Sequence, residues 1–255
     1  MNIVVCLKPT IENVDGLKLD NGEYIINENI ILGLNPWDEY AIEAALRLKD
    51  KYNCKVTALS QGQENSIPTL RKAISMGCDE AKLIKTSNVL DLNIMAYQKF
   101  IASHGIFDIA IMGRQTIDTE NAIAPIQLAK LLGRRILSCV TDIVDIGNSF
   151  IIVVQNIAEK KRRVKAKLPV VLSVDKEFGE PRKPTYKLIR IATQAKIDSF
   201  ILQDSQPDFI LDEGIKKVHL TTNELTLTNC EFLEGSPKEV SETLLSKLED
   251  LGIKL

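Results

Sequence analysis

The stretch FDIAIMGRQTIDTENAIAPIQLAKLLG, residues 107–133, decides the fold. Phe107 to Met112 is an apolar run of strand length, the pattern of a strand buried on both faces. Gly113 ends it. Helical spacing through Ile126, Ala129 and Leu132 follows, and Gly133 closes that helix. Strand, loop and helix in this order form half of a βαβ crossover, and such crossovers build a mostly parallel sheet. In these sheets a ligand sits beyond the carboxyl ends of the strands, where strand order reverses. The segment Gly113–Pro125 therefore reads as one wall of a binding pocket.

Working outward, the same alternation continues. Ile3 to Leu7 is a first strand. Asn35-Pro36-Trp37-Asp38-Glu39 is a helix start, with Asn at the N-cap, Pro at the first helical position and acids in the first turn. Ala41, Ile42, Ala45, Leu46 and Leu48 give that helix a buried face. Lys55 to Ser60 is the next strand. Ile67, Leu70 and Ile74 mark a second helix closed by Gly77, and Ala81 to Ile84 a third strand. Asp91 to His104 is a third helix. Beyond about Leu137 the pattern changes: Phe150 to Gln155 and Lys161 to Ala166 read as paired strands, and Val170 to Val174 as another. Glu180-Pro181-Arg182-Lys183-Pro184 breaks regular structure. From there to about Cys230 the chain is polar and poorly periodic, unusual inside a compact domain and expected to lie on a partner chain; a disordered linker is the alternative. Ser236-Pro237-Lys238-Glu239 opens a last helix, to Leu251, with a capping-box pattern. The expected organisation is an α/β domain over residues 1–180, an arm over 181–235 and a C-terminal helix over 236–255.

Composition excludes several classes. The chain has 255 residues, 45% hydrophobic and 26% charged, with a formal net charge of −2. No global positive field draws in nucleic acid. The basic run from Lys160 to Lys167 reads as a solvated strand or loop. No apolar stretch reaches the ~20 residues of a membrane helix, so no membrane insertion is expected. The N-terminus lacks the basic region and cleavage site of a signal peptide. Cys6, Cys54, Cys78, Cys139 and Cys230 form no C-x-x-C pair, and His104 and His219 are the sole histidines. No metal-ligand set can be assembled from this spacing, and buried thiols in a reducing cytoplasm are expected. Any redox centre must then be an organic cofactor. There is no G-x-G-x-x-G after the first strand, no phosphate-binding G-x-x-x-x-G-K-[ST] and no G-x-S-x-G elbow. No catalytic constellation is present, which favours a binding or carrier role.

Four pieces carry information together. Val5-Cys6-Leu7-Lys8-Pro9 ends the first strand, where Lys8 can meet an anion or be a plain surface lysine. Asn35 can donate and accept to a base or ribose, or serve as an ordinary N-cap; the helix N-terminus there presents free N–H groups. Leu59-Ser60-Gln61-Gly62 supplies a tight turn beside a ligand. Gly113-Arg114-Gln115-Thr116-Ile117-Asp118-Thr119-Glu120-Asn121-Ala122 completes the set. There Gly113 permits close approach, Asp118 can accept from ribose hydroxyls, and the N–H groups of Ala122 to Ala124 can hold a phosphate.

In order and spacing these pieces resemble the β subunit of electron transfer flavoproteins. The resemblance runs through V-C-L-K, N-P-W-D-E-Y-A-I-E-A-A-L-R-L-K at Asn35 to Lys49, and R-K-A-I-S-M-G-C-D-E-A at Arg71 to Ala81. It continues in G-R-Q-T-I-D at Gly113 to Asp118, L-P-V-V at Leu168 to Val171, E-P-R at Glu180 to Arg182, and F-L-E-G-S at Phe232 to Ser236. The resemblance implies an adenine-nucleotide-binding α/β fold and a heterodimer with an α subunit. It implies FAD held mainly by α, with AMP or a second FAD in β. Nucleotide contacts would be Cys6, Lys8, Asn35, Pro36, Trp37, Asp38 and Gln61, with Gly113, Arg114, Gln115, Asp118, Asn121, Ala122, Ile123 and Ala124. Glu180, Pro181, Arg182 and Tyr186 would dock an acyl-CoA dehydrogenase or another dehydrogenase, and the following arm would embrace α.

The chain departs from that family twice. The usual D-G-D-T-A-Q-V-G-P continuation is Asp118-Thr119-Glu120-Asn121-Ala122-Ile123-Ala124-Pro125 here. Ile123 replaces an amide, worth about 0.5–1.5 kcal/mol as a hydrogen bond, and Pro125 has no N–H. Tyr186 stands where the docking loop usually has Leu. Three functions are compatible with the residues. The first is an electron-carrier subunit. The second is a bifurcating half that oxidises NADH at a β-bound FAD. The third is a stand-alone nucleotide sensor resembling universal stress proteins, which share the sheet layout.

Overall fold

The computed structural model describes residues 1–12, 17–20, 23–26, 31–86, 93–105, 107–158, 160–201 and 231–253. The chain opens with β1 (Asn2–Leu7) and the short strands β2 (Pro9–Ile11), β3 (Leu17–Asp20), β4 (Glu23–Ile26) and β5 (Leu32–Leu34). Alternation follows: α1 (Pro36–Tyr52), β6 (Lys55–Gly62), α2 (Ile67–Met76), β7 (Glu80–Lys85), α3 (Ile94–Ser103), β8 (Ile109–Gly113) and α4 (Ala124–Leu131). Then come β9 (Arg135–Ile146), β10 (Phe150–Ile157), β11 (Lys160–Lys167), β12 (Val170–Val174), α5 (Tyr186–Gln194), β13 (Asp198–Ile201) and α6 (Pro237–Asp250).

Nine strands form one sheet in the order β11-β10-β9-β12-β8-β1-β6-β7-β13. Pairing is parallel from β9 through β13 along that order and antiparallel only in the β9–β10–β11 meander. The expected mostly parallel α/β fold is present. Strand β1 shows why its sequence is apolar throughout. Its alternate residues Ile3, Val5 and Leu7 join the core under α1 and α2. Val4 and Cys6 join the opposite core, with Tyr97 and Phe100 of α3 and Leu128 of α4. Alternation thus feeds two apolar layers instead of one. Tyr97 is fully buried, and its hydroxyl donates to the Leu7 carbonyl at 2.6 Å, which satisfies its polar end.

The chain moves from β1 to β6 and β7 on one side, then crosses back to lay β8 on the other side of β1. Strand order therefore reverses between β1 and β8. The crevice beyond the carboxyl ends of these two strands is the position for a ligand in such a sheet.

Some elements escape the sequence pattern. Strand β9 is twelve residues long, but bulges interrupt its alternation, and Cys139 takes a left-handed conformation at φ 52°. Helix α5 lies in the poorly periodic stretch after Pro184. It turns only Leu188 and Ala192 inward and leaves Tyr186, Ile189 and Ile191 exposed, so its apolar stripe is thin. Strand β13 has four residues, and its partner β7 lies more than a hundred positions earlier, out of reach of any local signal. The third helix begins at Ile94, capped by Asn93, whose side chain accepts from Ala96 N–H at 3.1 Å. Asp91, where that helix was expected to begin, and the arm beyond residue 201 as far as Cys230 lie outside the described residues. Helix α6 belongs to a second compact unit. Its capping box is formed: Glu239 N–H donates to Ser236 Oγ at 3.4 Å and Ser236 N–H to Glu239 Oε2 at 2.8 Å. No helix among the described residues is long and apolar enough to cross a membrane, and no group of three metal-ligating side chains forms among them.

Candidate functional site

A cavity of about 250 Å³ opens at the crevice between β1 and β8. Its floor is Lys8, just past β1, with Met112 and Gly113 at the end of β8; the loop from Gln115 to Ile123 and the first turn of α4 form its wall. Ile94, at the start of α3, supplies an apolar side.

Asp38 ties the floor together. Its carboxylate accepts Lys8 N–H at 2.7 Å and Gly113 N–H at 3.1 Å, so one α1 side chain bridges the ends of two strands. Asp38 is 3% exposed, and burial pushes its carboxyl up to about 7 against the pull of hydrogen bonds from Lys8, Asn35 and Gly113 and of the Lys8 charge. Gly113 is needed because α1 presses on it. A Cβ there would meet Asp38 Oδ1 at 2.6 Å and the Trp37 backbone at 2.7 Å. Gly113 thus admits the close approach of the helix and also lines the cavity.

The wall is braced from α1 as well. Asn35 is fully buried; its Nδ2 donates to the Gln115 carbonyl at 3.0 Å and its Oδ1 accepts from Ile117 N–H at 3.3 Å. Both ends of its amide hold the loop, and Asn35 is not part of the cavity lining. Lys8 Nζ forms an ion pair with Asp118 Oδ2. Burial alone would raise the Asp118 carboxyl, but hydrogen bonds from Lys8 and Thr116, with the Lys8 charge, hold it below the ordinary carboxylate value. Asp118, expected to face a ribose, spends this charge on Lys8 and stands outside the lining.

The loop then prepares the start of α4. Glu120 N–H donates to the Thr116 carbonyl at 2.9 Å, and Glu120 and Ala122 take left-handed conformations at φ 50° and 53°. Asn121 Oδ1 accepts from Ile123 N–H at 3.2 Å. The N–H groups of Ala122 and Ala124, which line the cavity, have no protein partner among the described residues. Two unpaired amides at the positive end of a helix are donors of the kind that anions use, and Pro125 contributes none.

Of the anticipated contacts, Lys8, Asp38, Gly113, Gln115, Asn121, Ala122, Ile123 and Ala124 line the cavity. The others surround it. Cys6 is a core residue whose thiol burial pushes far up. Gln61 Oε1 accepts Asn93 N–H at 3.0 Å and so steadies the start of α3. Pro36 is exposed and Trp37 half-buried in the first turn of α1. Arg114 turns away to Asp175, 2.7 Å from its Oδ2. Ile94, Met112 and Gln127 line the cavity without having been anticipated. Gln127 lies one turn after Ile123, so helical spacing would have found it; Ile94 arrives through the crossover of α3.

The anticipated docking residues sit elsewhere. Arg182 donates from its backbone and from Nε to Glu43 Oε2 at 3.0 and 2.8 Å, and from Nη2 to Asp50 at 2.9 Å. Burial would raise the Glu43 carboxyl, but its bonds to Arg182 and Arg47 hold it below the usual value. Glu180 and Pro181 precede this brace, and Tyr186 stands 82% exposed in the first turn of α5.

Residues 25–204 match the model of the electron transfer flavoprotein domain. The chain is 29% identical to the electron transfer flavoprotein subunit beta of Bacillus subtilis, covering 97% of each chain. It is 30% identical to the subunit of that name from Thermoanaerobacterium thermosaccharolyticum, over 97% of this chain and 98% of the other. It is also 26% identical to Protein FixA of Azorhizobium caulinodans, over 85% and 80% of the two chains.

Proposed function

The chain belongs to the electron transfer flavoprotein family, on the β-subunit side, and from that premise we propose that it is the nucleotide-holding half of a heterodimeric electron carrier. FAD, held mainly by the α subunit, supplies the electron chemistry. This chain holds AMP as a fixed part of the assembly. The observation that carries the reading is the cavity at the β1–β8 switch point, with the free amides of Ala122 and Ala124 on its wall. Those amides suit a phosphate. At about 250 Å³ the cavity is smaller than the ~300–1,000 Å³ of common ligand pockets, which favours AMP over a dinucleotide in this reading. Lys8 and Gln115, which also line the cavity, are the proposed contacts for ribose and base.

The α subunit covers apolar surface that this chain leaves open. Helix α6 buries none of its residues, and Leu244, Leu245 and Leu251 are exposed on and just after it. Electrons arrive from a dehydrogenase that docks on Glu180, Pro181, Arg182 and Tyr186. Arg182 holds that segment against α1 while Tyr186 offers its ring to the partner.

Mass spectrometry of nucleotides released from the co-expressed heterodimer tests the reading. One FAD and one AMP per heterodimer are expected. Two FADs and reduction by NADH would replace this reading with the bifurcating one, and a nucleotide-bound chain that never pairs would leave a stand-alone sensor.

A further inference from the structure

We infer that Asp38 meets the nucleotide's phosphate as a neutral acid, so that the cavity takes up a proton together with its ligand; the inference rests on the nucleotide reading proposed above. Of the residues that line the cavity, only Lys8 and Asp38 carry formal charge. Lys8 is already paired with Asp118. Arg114, next to Gly113 in the chain, turns to Asp175. One cation therefore stands against two carboxylates, and a phosphate enters a cavity that is negative before it arrives. The amides of Ala122 and Ala124 offset part of that charge as dipoles, not as ions. Moving Lys8 from Asp118 to the phosphate would leave the sum of charges unchanged and strip Asp118 of its ion pair.

The Asp38 side chain is fixed in place. It is 3% exposed, and each of its oxygens already accepts one backbone N–H, from Lys8 on Oδ2 and from Gly113 on Oδ1. These two bonds join the ends of β1 and β8. As an ionised group it offers the cavity only acceptors, and a phosphate presents acceptors too. A proton removes the conflict in two ways. It cancels the charge, and it turns one oxygen into a donor while leaving lone pairs for Lys8 and Gly113.

The other groups that face Asp38 leave this role to it. From β1 come the Lys8 ammonium, held by Asp118, and the Cys6 thiol; from α3 comes the Tyr97 hydroxyl, which donates to the Leu7 carbonyl. Burial pushes both Cys6 and Tyr97 up, so each keeps its own proton. Asn35 on α1 brings an uncharged amide, and Gly113 on β8 only its N–H. The proton therefore comes from solvent. Burial already pushes the Asp38 carboxyl up to about 7, and a phosphate beside it pushes in the same direction. The bound state then holds the proton more tightly than the free state, so affinity is highest at low pH and falls as pH rises through and beyond about 7.

Calorimetry of AMP binding to the co-expressed heterodimer, freed of nucleotide by dialysis, tests this directly. Titrations at pH 7.5 in two buffers of different ionisation enthalpy count the protons. About half a proton taken up per AMP is expected, with affinity falling roughly fivefold or more from pH 6.5 to pH 8.5. Asp38→Asn is expected to bind AMP without that uptake and with about the same affinity at both pH values. The phosphate's own second ionisation is common to both proteins and cancels in the comparison. Infrared difference spectra of the wild type at pH 8 are expected to gain the carbonyl band of a protonated carboxylic acid on AMP binding, a readout that does not depend on the variant folding. AMP binding without proton uptake or without that band overturns the inference and leaves the nucleotide reading intact. Uptake that persists in Asp38→Asn also overturns it. A heterodimer that binds no AMP at any of these pH values removes both.

Discussion

At Gly113 strand β8 ends directly under the first turn of α1. The nearest obstacles to a side chain there are the Trp37 carbonyl, part of a helix start, and the Asp38 carboxylate, which is already fixed by two strand ends. Neither can move without releasing the other. Gly113→Ala is therefore expected to lower the urea midpoint by an amount equivalent to ~1–3 kcal/mol, as overpacking does. An unchanged midpoint would show that α1 can shift at little cost. The sequence marked Gly113 as special but not why, because the atoms that crowd it lie 75 positions away in the chain.

At the scale of elements, the segment proposed for docking is held by a brace instead of by its own secondary structure. Residues 179–185 run without helix or strand between β12 and α5. Glu43 of α1 sits beneath them, with a side chain 6% exposed, and collects Arg182 above and Arg47 one turn along its own helix. Removing one partner leaves a nearly buried carboxylate short of donors. Arg182→Ala is expected to cost ~1–2 kcal/mol, a value kept low because Arg182 is itself partly exposed. Amide exchange in residues 179–186 is expected to accelerate while β1 and β8 keep their protection. Uniform acceleration across the chain would mean that the brace supports the whole fold and not this segment. The E-P-R motif was legible in the sequence; its anchor was not, since Glu43 reads locally as one more polar position on an amphipathic helix.

At the scale of the whole molecule, Asp38 joins β1, α1 and β8, so its titration is felt by global stability. Its folded carboxyl, at about 7, stands above the ordinary aspartate value of 3.8. Between those values the folded chain keeps a proton that the unfolded chain has released. Stability from this group is therefore full below the unfolded value and is lost as pH rises through about 7. Asp118 and Glu43 are shifted the other way, so their contributions are lost only as pH falls into the acid range. Asp38→Asn is expected to flatten the decline in urea midpoint between pH 5 and 8 relative to the wild type. Parallel pH profiles for the two proteins would rule out Asp38 as its source.

The sequence by itself determined the α/β class, the two-faced burial of β8, the helix starts at Asn35 and Ser236, and the loop that forms the cavity wall. These follow from local periodicity and capping chemistry, which act within a few residues. Only the tertiary structure decided which residues of that neighbourhood line the cavity and which hold it in place. Asn35, Asp118 and Gln61 carry the polar groups a ligand would want, yet hydrogen bonds to Gln115, Lys8 and Asn93 engage them. Ala122 and Ala124 carry no such side chains and present the free amides. A residue's type fixes what it can bond; where the chain folds back on itself fixes whether that bond is already made.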